Sequence, residues 1–189
     1  MHAETAQDGT YEAGKVAKHG NYRDCFYNNF SILEEFARNY GFNEAVCFIE
    51  DAKESLISLV EKRASFAGGR FSLIHFDVSG GNVILSKREP VLIDWGSAHI
   101  NDPAWDLARA FMKLATEPKV SLLTFFEHYG LDSDVLDRVI IYLPLAFLSA
   151  AIGRFHDKDY LTERASLKSL SAEDLLQLSN FCYQRLIKR

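Results

Sequence analysis

The stretch from Leu73 to Asp94 constrains this chain more than any other part of it. It reads Leu-Ile-His75-Phe-Asp77-Val-Ser-Gly-Gly-Asn82-Val-Ile-Leu and, after a short polar link, Val-Leu-Ile-Asp94-Trp-Gly. Ser72–His75, Val83–Ser86 and Val91–Ile93 are short apolar runs with turn formers between them, a pattern that predicts three short strands. Set into these runs are an Asp, an Asn and a second Asp, groups that cost free energy to bury without partners. Register brings them together. A hairpin centred near Arg88 makes Asn82 and Asp94 cross-strand neighbours with Cα atoms about 5 Å apart. Asp77 lies in the loop that enters the same corner.

Converging side-chain oxygens suit magnesium, a hard cation that takes one or two protein carboxylates and completes its shell with water and phosphate. A neutral Asn beside one Asp fits a site whose remaining negative charge arrives with a nucleotide. An Asp, an Asn five residues later and a further Asp are also the ordered parts of kinase phosphoryl transfer.

Asp102-Pro103-Ala104-Trp105-Asp106-Leu107-Ala108 follows directly. With it, residues 73–108 resemble the aminoglycoside phosphotransferase family of small-molecule kinases, which shares the protein-kinase-like fold with choline and fructosamine kinases. The family pattern is roughly His-Gly-Asp, four residues and Asn, then Ile-Asp-(Phe/Trp), then Asp-Pro, two residues and Asp-Leu-Ala. The resemblance implies that Asp77 orients or deprotonates an acceptor hydroxyl, and that Asn82 and Asp94 hold Mg2+ on the phosphates of ATP or GTP. It also implies that His75 braces the loop, that Asp106 ties the next helix back to it, and that Asp102 caps that helix. The acceptor would be a small-molecule hydroxyl. Phe76 stands where the family has Gly. A protein kinase fits less well: seven residues separate Asp94 from Asp102, leaving no room for an activation loop, and Phe76 replaces the Arg of that motif.

Helical periodicity flanks this centre. Phe26, Phe30, Leu33, Ala37 and Tyr40 step by four and three, and Gly41 ends that helix. Asn43 is expected to cap a second helix carrying Ala45, Ile49, Ala52, Leu56 and Leu59, with Gly68-Gly69 closing it. Asp102-Pro103 starts a third, with Ala104, Leu107, Ala108, Phe111 and Leu114 on one face. More helix is expected near 121–130 and over 134–153, kinked or broken at Pro144. A last helix opens on the capping-box residues Ser171–Asp174.

The expected class is therefore α+β, mainly α, and by resemblance the C-terminal lobe of a protein-kinase-like fold with a small β patch carrying the catalytic loop. Residues 1–189 read as one lobe: a polar lead-in (1–22), two helices (23–70), the motifs (71–108) and a helical substrate-side region (109–189). Residues 1–70 contain no G-x-G-x-x-G and no apolar strand carrying a Lys, so an N-terminal lobe has no counterpart there. The expectation is a fragment, a truncated product or a degenerate member. An uncovered cleft would favour self-association.

Composition narrows the alternatives. The net charge of −5 is opposite in sign to a nucleic-acid footprint. No run approaches the ~18 consecutive apolar residues of a membrane span, and the polar N-terminus lacks a signal-peptide core, so neither membrane nor secretion is expected. Cys25, Cys47 and Cys182 are odd in number, distant and without CxxC spacing, which predicts neither disulfides nor zinc and fits a reducing cytoplasm. Gly9–Lys15 matches the start of a P-loop, but Val16 replaces the required Ser or Thr and no apolar strand precedes it. Trp95 and Trp105 read as packing residues. His2, His19, His99, His128, His156, Asp157 and Asp159 read as surface residues. Two rivals stand beside the kinase reading. One is a non-catalytic kinase-like remnant that binds a partner through the exposed cleft face. The other is a metal-dependent hydrolase built on His75, Asp77 and Asp94, which needs a further ligand that the sequence does not offer.

Overall fold

The computed structural model describes residues 20–86, 89–115, 132–157 and 170–188. Helix α1 (Tyr22–Asn39) begins where the Asn21 side chain accepts a hydrogen bond from the Asp24 N–H, 3.0 Å away. It buries Tyr22, Phe26, Phe30, Leu33 and Ala37, whereas Tyr40, expected on the same face, lies just past the helix end and is exposed. Gly41 then turns the chain at φ +70°, a conformation that suits glycine.

Helix α2 (Asn43–Glu61) corrects two expectations. Its cap position is Phe42, which offers no side-chain acceptor, and Asn43 is already the first helical residue. Burial of the Phe42 ring and a 2.9 Å bond from its N–H to the Ala37 carbonyl do the anchoring instead. The helix also stops at Glu61, before a 3₁₀ turn (Ala64–Phe66) that buries Phe66. Gly68 and Gly69 therefore serve another purpose. The Tyr22 N–H donates to the Gly68 carbonyl at 2.7 Å. A Cβ on Gly69 would lie 2.8 Å from the Gly20 carbonyl oxygen, so only glycine lets the chain pass the start of α1.

The β structure among the described residues is four strands in two separate pairs, not three in one patch. Strand β1 (Ser72–Ile74) pairs antiparallel with β4 (His99–Asn101), and β2 (Val83–Leu85) with β3 (Pro90–Leu92). The sequence His-Ile-Asn of β4 has too little apolar content to read as a strand on its own. Register also differs from expectation by one residue. Val83 faces Leu92, and the Ile93 N–H donates to the Asn82 carbonyl at 2.9 Å, so Asn82 opposes Ile93 rather than Asp94. A one-residue slip turns a side chain to the opposite face. The Ser86 hydroxyl bonds both the N–H and the carbonyl of Glu89 and so ties the ends of the two strands together in this register.

Helix α3 (Pro103–Ala115) leads towards α4 (Ser133–His156) and α5 (Ala172–Ile187). Helix α4 runs through Pro144 without a break and packs against α5, α3, α1 and α2. The Pro144 carbonyl accepts a 2.7 Å bond from the Ser179 hydroxyl of α5. By length and composition α4 could cross a membrane, but it is the central helix here, apolar on most sides because neighbours cover most sides. Tyr142 lies within 6 Å of the rings of Phe26, Phe66 and Trp105 at the middle of the core. Helix α5 opens on a complete capping box between Ser171 and Asp174. The architecture is a mainly helical α+β fold. The Gly9–Lys15 match, the helix expected near 121–130, and His2, His19, His128 and Asp159 lie outside the described residues.

Candidate functional site

One face of α3 organises the loop after β1. Asp106, Arg109 and Lys113 are spaced by three and four residues and so project from the same side of the helix. Asp106 Oδ2 accepts from the His75 N–H at 2.9 Å, and Oδ1 from the Phe76 N–H at 2.8 Å. Those are consecutive loop donors, and a charged acceptor makes the stronger kind of hydrogen bond. Arg109 Nε donates to the Phe76 carbonyl at 2.9 Å, and its Nη1 reaches the Ser149 hydroxyl on α4 at 2.6 Å. Lys113 forms an ion pair with Asp77 Oδ1.

His75 is buried and links this loop to the end of β3. Its Nδ1 accepts the Asp77 N–H at 3.2 Å, which leaves Nε2 protonated to donate to the Ile93 carbonyl at 2.8 Å. Ile93 is thereby held on both sides, by Asn82 through its N–H and by His75 through its carbonyl. Asp94 follows it at φ +63°, a left-handed conformation that Asp tolerates better than most residues, and opens the 3₁₀ turn Trp95–Ser97. Its side chain is exposed.

Asn82 ends a 3₁₀ turn (Gly80–Asn82) in which its N–H bonds the Ser79 carbonyl. Its amide nitrogen donates to the Asp77 carbonyl at 2.8 Å and to Asp77 Oδ2 at 2.9 Å. Two acceptors fix the orientation of the amide, so Oδ1 is the atom Asn82 has left for a ligand. The Asp77 carboxylate thus carries Asn82 on one oxygen and Lys113 on the other. Partial burial would raise its pKa, but the Lys113 ammonium, the Asn82 amide and the Arg109 charge together outweigh that and hold it below the usual value. Burial pulls the Lys113 ammonium the other way, downwards, against the stabilising effect of Asp77. Burial likewise lowers Arg109 to about 10, opposed by Asp77 and Asp106, and it stays charged at neutral pH.

Phe76 occupies a left-handed backbone conformation, φ +68°. Glycine is the residue such a position favours. Here the ring is held under the Arg109 guanidinium, 4.0 Å from its centroid, and beside His99 and Trp105.

Asp102 does more than cap α3. Its Oδ1 accepts the Ala104 N–H at 3.0 Å, and its Oδ2 accepts Arg138 Nε of α4 at 3.0 Å, both side chains being buried. Burial raises the Asp102 pKa and the Arg138 charge opposes it. Arg138 Nη1 continues to the Ser65 carbonyl at 3.0 Å. His99, expected at the surface, is buried beside this network because it lies on β4, against β1. Its Nδ1–H donates to the Ser97 carbonyl, and its Nε2 receives Asn101 Nδ2. The Cys25 thiol is pushed up to about 12 by burial and rests 2.6 Å from Asn101 Oδ1. Of the two tryptophans, Trp105 is core, whereas Trp95 is half exposed and packs edge-on against His75.

Sequence alone does not single out Arg109, Lys113 or Arg138. The available signal was their helical phase: Arg109 and Lys113 repeat the face of Asp106. Among the described residues no cluster of three or more His, Cys, Asp or Glu side chains could hold a metal by itself.

No curated protein and no solved structure matches this chain. The sequence pattern of the phosphotransferase enzyme family matches residues 31–140, more than half of the chain. That span runs from within α1 into α4 and takes in both strand pairs, the loop at Asp77 and the whole polar face of α3. The chain belongs to the phosphotransferase enzyme family.

Proposed function

We propose that this chain is the C-terminal lobe of a small-molecule kinase that transfers the γ-phosphoryl group of ATP or GTP to a hydroxyl. In this reading Asp77 receives the acceptor hydroxyl as a hydrogen-bond donor. The acceptor oxygen bonds to the γ-phosphorus as the bond to the β-γ bridging oxygen breaks, and the hydroxyl proton leaves to Asp77 or water. Asn82 Oδ1 and the Asp94 carboxylate would hold Mg2+, which offsets charge on the phosphates. His75, Asp106 and Asp102 keep the loop in place. The reading rests above all on the bond between Asp77 and Asn82: it leaves one carboxylate and one amide oxygen side by side, on a loop secured by Asp106. The thiols fit a cytoplasmic setting.

The test is transfer from γ-labelled ATP with Mg2+ to a panel of an aminoglycoside, an amino alcohol, a hexose and a hydroxy amino acid. Labelled product should form with one acceptor class and fall by about 10²- to 10⁴-fold in Asp77→Asn. Undiminished transfer by that variant would remove Asp77 from the chemistry.

One observation favours the second reading, a non-catalytic remnant that binds a partner. Leu73, Ile84, Leu85, Val91 and Trp95 are exposed apolar side chains on or beside the two strand pairs. A chain that binds no nucleotide, and loses a partner on Leu85→Lys, would support it over transfer.

A further inference from the structure

The Asp77–Lys113 pair lies on the proposed phosphotransfer site but has no part in the residue pattern of the motif. Asp106, Arg109 and Lys113 contact the loop in order along α3: the N–H groups of His75 and Phe76, then the Phe76 carbonyl, then the Asp77 side chain. The first two contacts set the backbone. Only the third touches the reacting carboxylate.

A carboxylate needs such a contact. The terminal torsion of Asp is broad and nearly two-fold, so the backbone alone does not fix the plane of its oxygens. Asn82 holds Oδ2 but leaves rotation about that contact. We propose that Lys113 is a positioning residue for phosphoryl transfer: its ammonium holds Asp77 Oδ1 as Asn82 holds Oδ2, fixing the carboxylate plane to which the acceptor hydroxyl is presented. Each carboxylate oxygen has two acceptor positions, so one on each remains for the hydroxyl. The Lys113 side chain is only 15% exposed, against 42% for Asp77. The ammonium is thus anchored from the protein side, and the carboxylate opens towards solvent. Partial burial also leaves such a pair less screened by salt than an exposed one.

This inference rests on the phosphotransferase reading, and two measurements separate its failure from that of the reading. The first needs no turnover. In ¹⁵N-lysine-labelled full-length chain, the Lys113 ammonium should give a resolved, slowly exchanging signal that disappears in Asp77→Asn. A signal unchanged by Asp77→Asn overturns the proposal. The second is transfer from millimolar Mg-ATP to the best acceptor of the panel. Lys113→Met should lower kcat about 10- to 100-fold, the scale of a misplacement near 1 Å, with the acceptor KM within about twofold and an unchanged Tm. Lys113→Arg, which keeps a cation there, should recover most of the loss. Wild-type kcat in Lys113→Met overturns the proposal. So does a raised acceptor KM at constant kcat, which would make Lys113 a substrate-binding group. A wild-type chain that transfers to no acceptor while its ammonium signal depends on Asp77 counts against the phosphotransferase reading and leaves the contact itself established.

Discussion

The Arg109 guanidinium lies 4.0 Å over the ring of Phe76 while its Nε donates to the carbonyl of the same residue. One side chain therefore holds both the backbone and the ring of a residue at φ +68°. A non-glycine residue in the left-handed region costs about 1–2 kcal/mol, and a partly desolvated cation–π contact is of comparable size, about 1–2 kcal/mol. The two nearly cancel, which accounts for a large aromatic at a position that suits glycine.

This balance predicts an inverted order of substitutions. Phe76→Ala keeps the strained backbone and loses the ring, and should lower stability by about 1–3 kcal/mol. Phe76→Gly loses the ring but relieves the strain, and should be the milder change by roughly 1 kcal/mol. Urea unfolding of both variants measures the order. If alanine proves the milder, the backbone strain is not part of the energetics.

Asp106 binds two adjacent N–H groups with its two oxygens. Asp106→Asn keeps the shape but turns one acceptor into a donor facing an N–H. Hydrogen bonds to charged groups contribute about 1.5–3 kcal/mol, and a loss in that range is expected. Amide hydrogen exchange should rise at His75 and Phe76 before it rises in α1 or α4. Uniform acceleration would show that Asp106 stabilises the whole fold rather than the loop.

The buried Asp102–Arg138 pair ties the start of α3 to α4. Removing one partner leaves an uncompensated charge, an effect of about 3–5 kcal/mol. Arg138→Met should show that loss in urea unfolding. The double variant Asp102→Asn with Arg138→Met should recover part of it, because no bare carboxylate then remains. A double variant as unstable as the sum of both singles would mean the charge itself is not what costs stability.

His99 supplies a pH dependence. Burial lowers its pKa below the ordinary 6.5, with its bond to Ser97 opposing that shift. The unfolded chain binds this proton more readily than the folded one, so stability is full above pH 6.5 and falls as pH drops from there through the folded-state value. Thermal melts from pH 8 to pH 5 should show Tm declining on the acid side. His99→Gln should flatten the part of that decline just below pH 6.5. An identical profile in the variant would assign the decline to other groups.

The helical half of the fold was legible in the sequence because its determinants are local. Apolar residues at three- and four-residue steps define the buried faces of α1 and α2, Pro103 sits at the first position of α3, and Ser171 with Asp174 forms the box that starts α5. Asp77, Asn82 and Asp94 stood out for the same kind of reason, as polar groups interrupting short apolar runs. Tertiary structure alone decided how these parts meet. The Ser86–Glu89 bonds and the Asn82–Ile93 contact set the hairpin register one residue away from the symmetric choice, a difference too small for apolar patterning to resolve. Strand β4 exists because β1 supplies its partner, with Leu73 facing Ile100, and not because His-Ile-Asn favours a strand. Lys113 and Arg138 looked like ordinary helix-surface cations until Asp77 and Asp102, each 36 residues before its cation, folded against them. A charge's role depends on what desolvates and pairs it, and those partners come from distant parts of the chain.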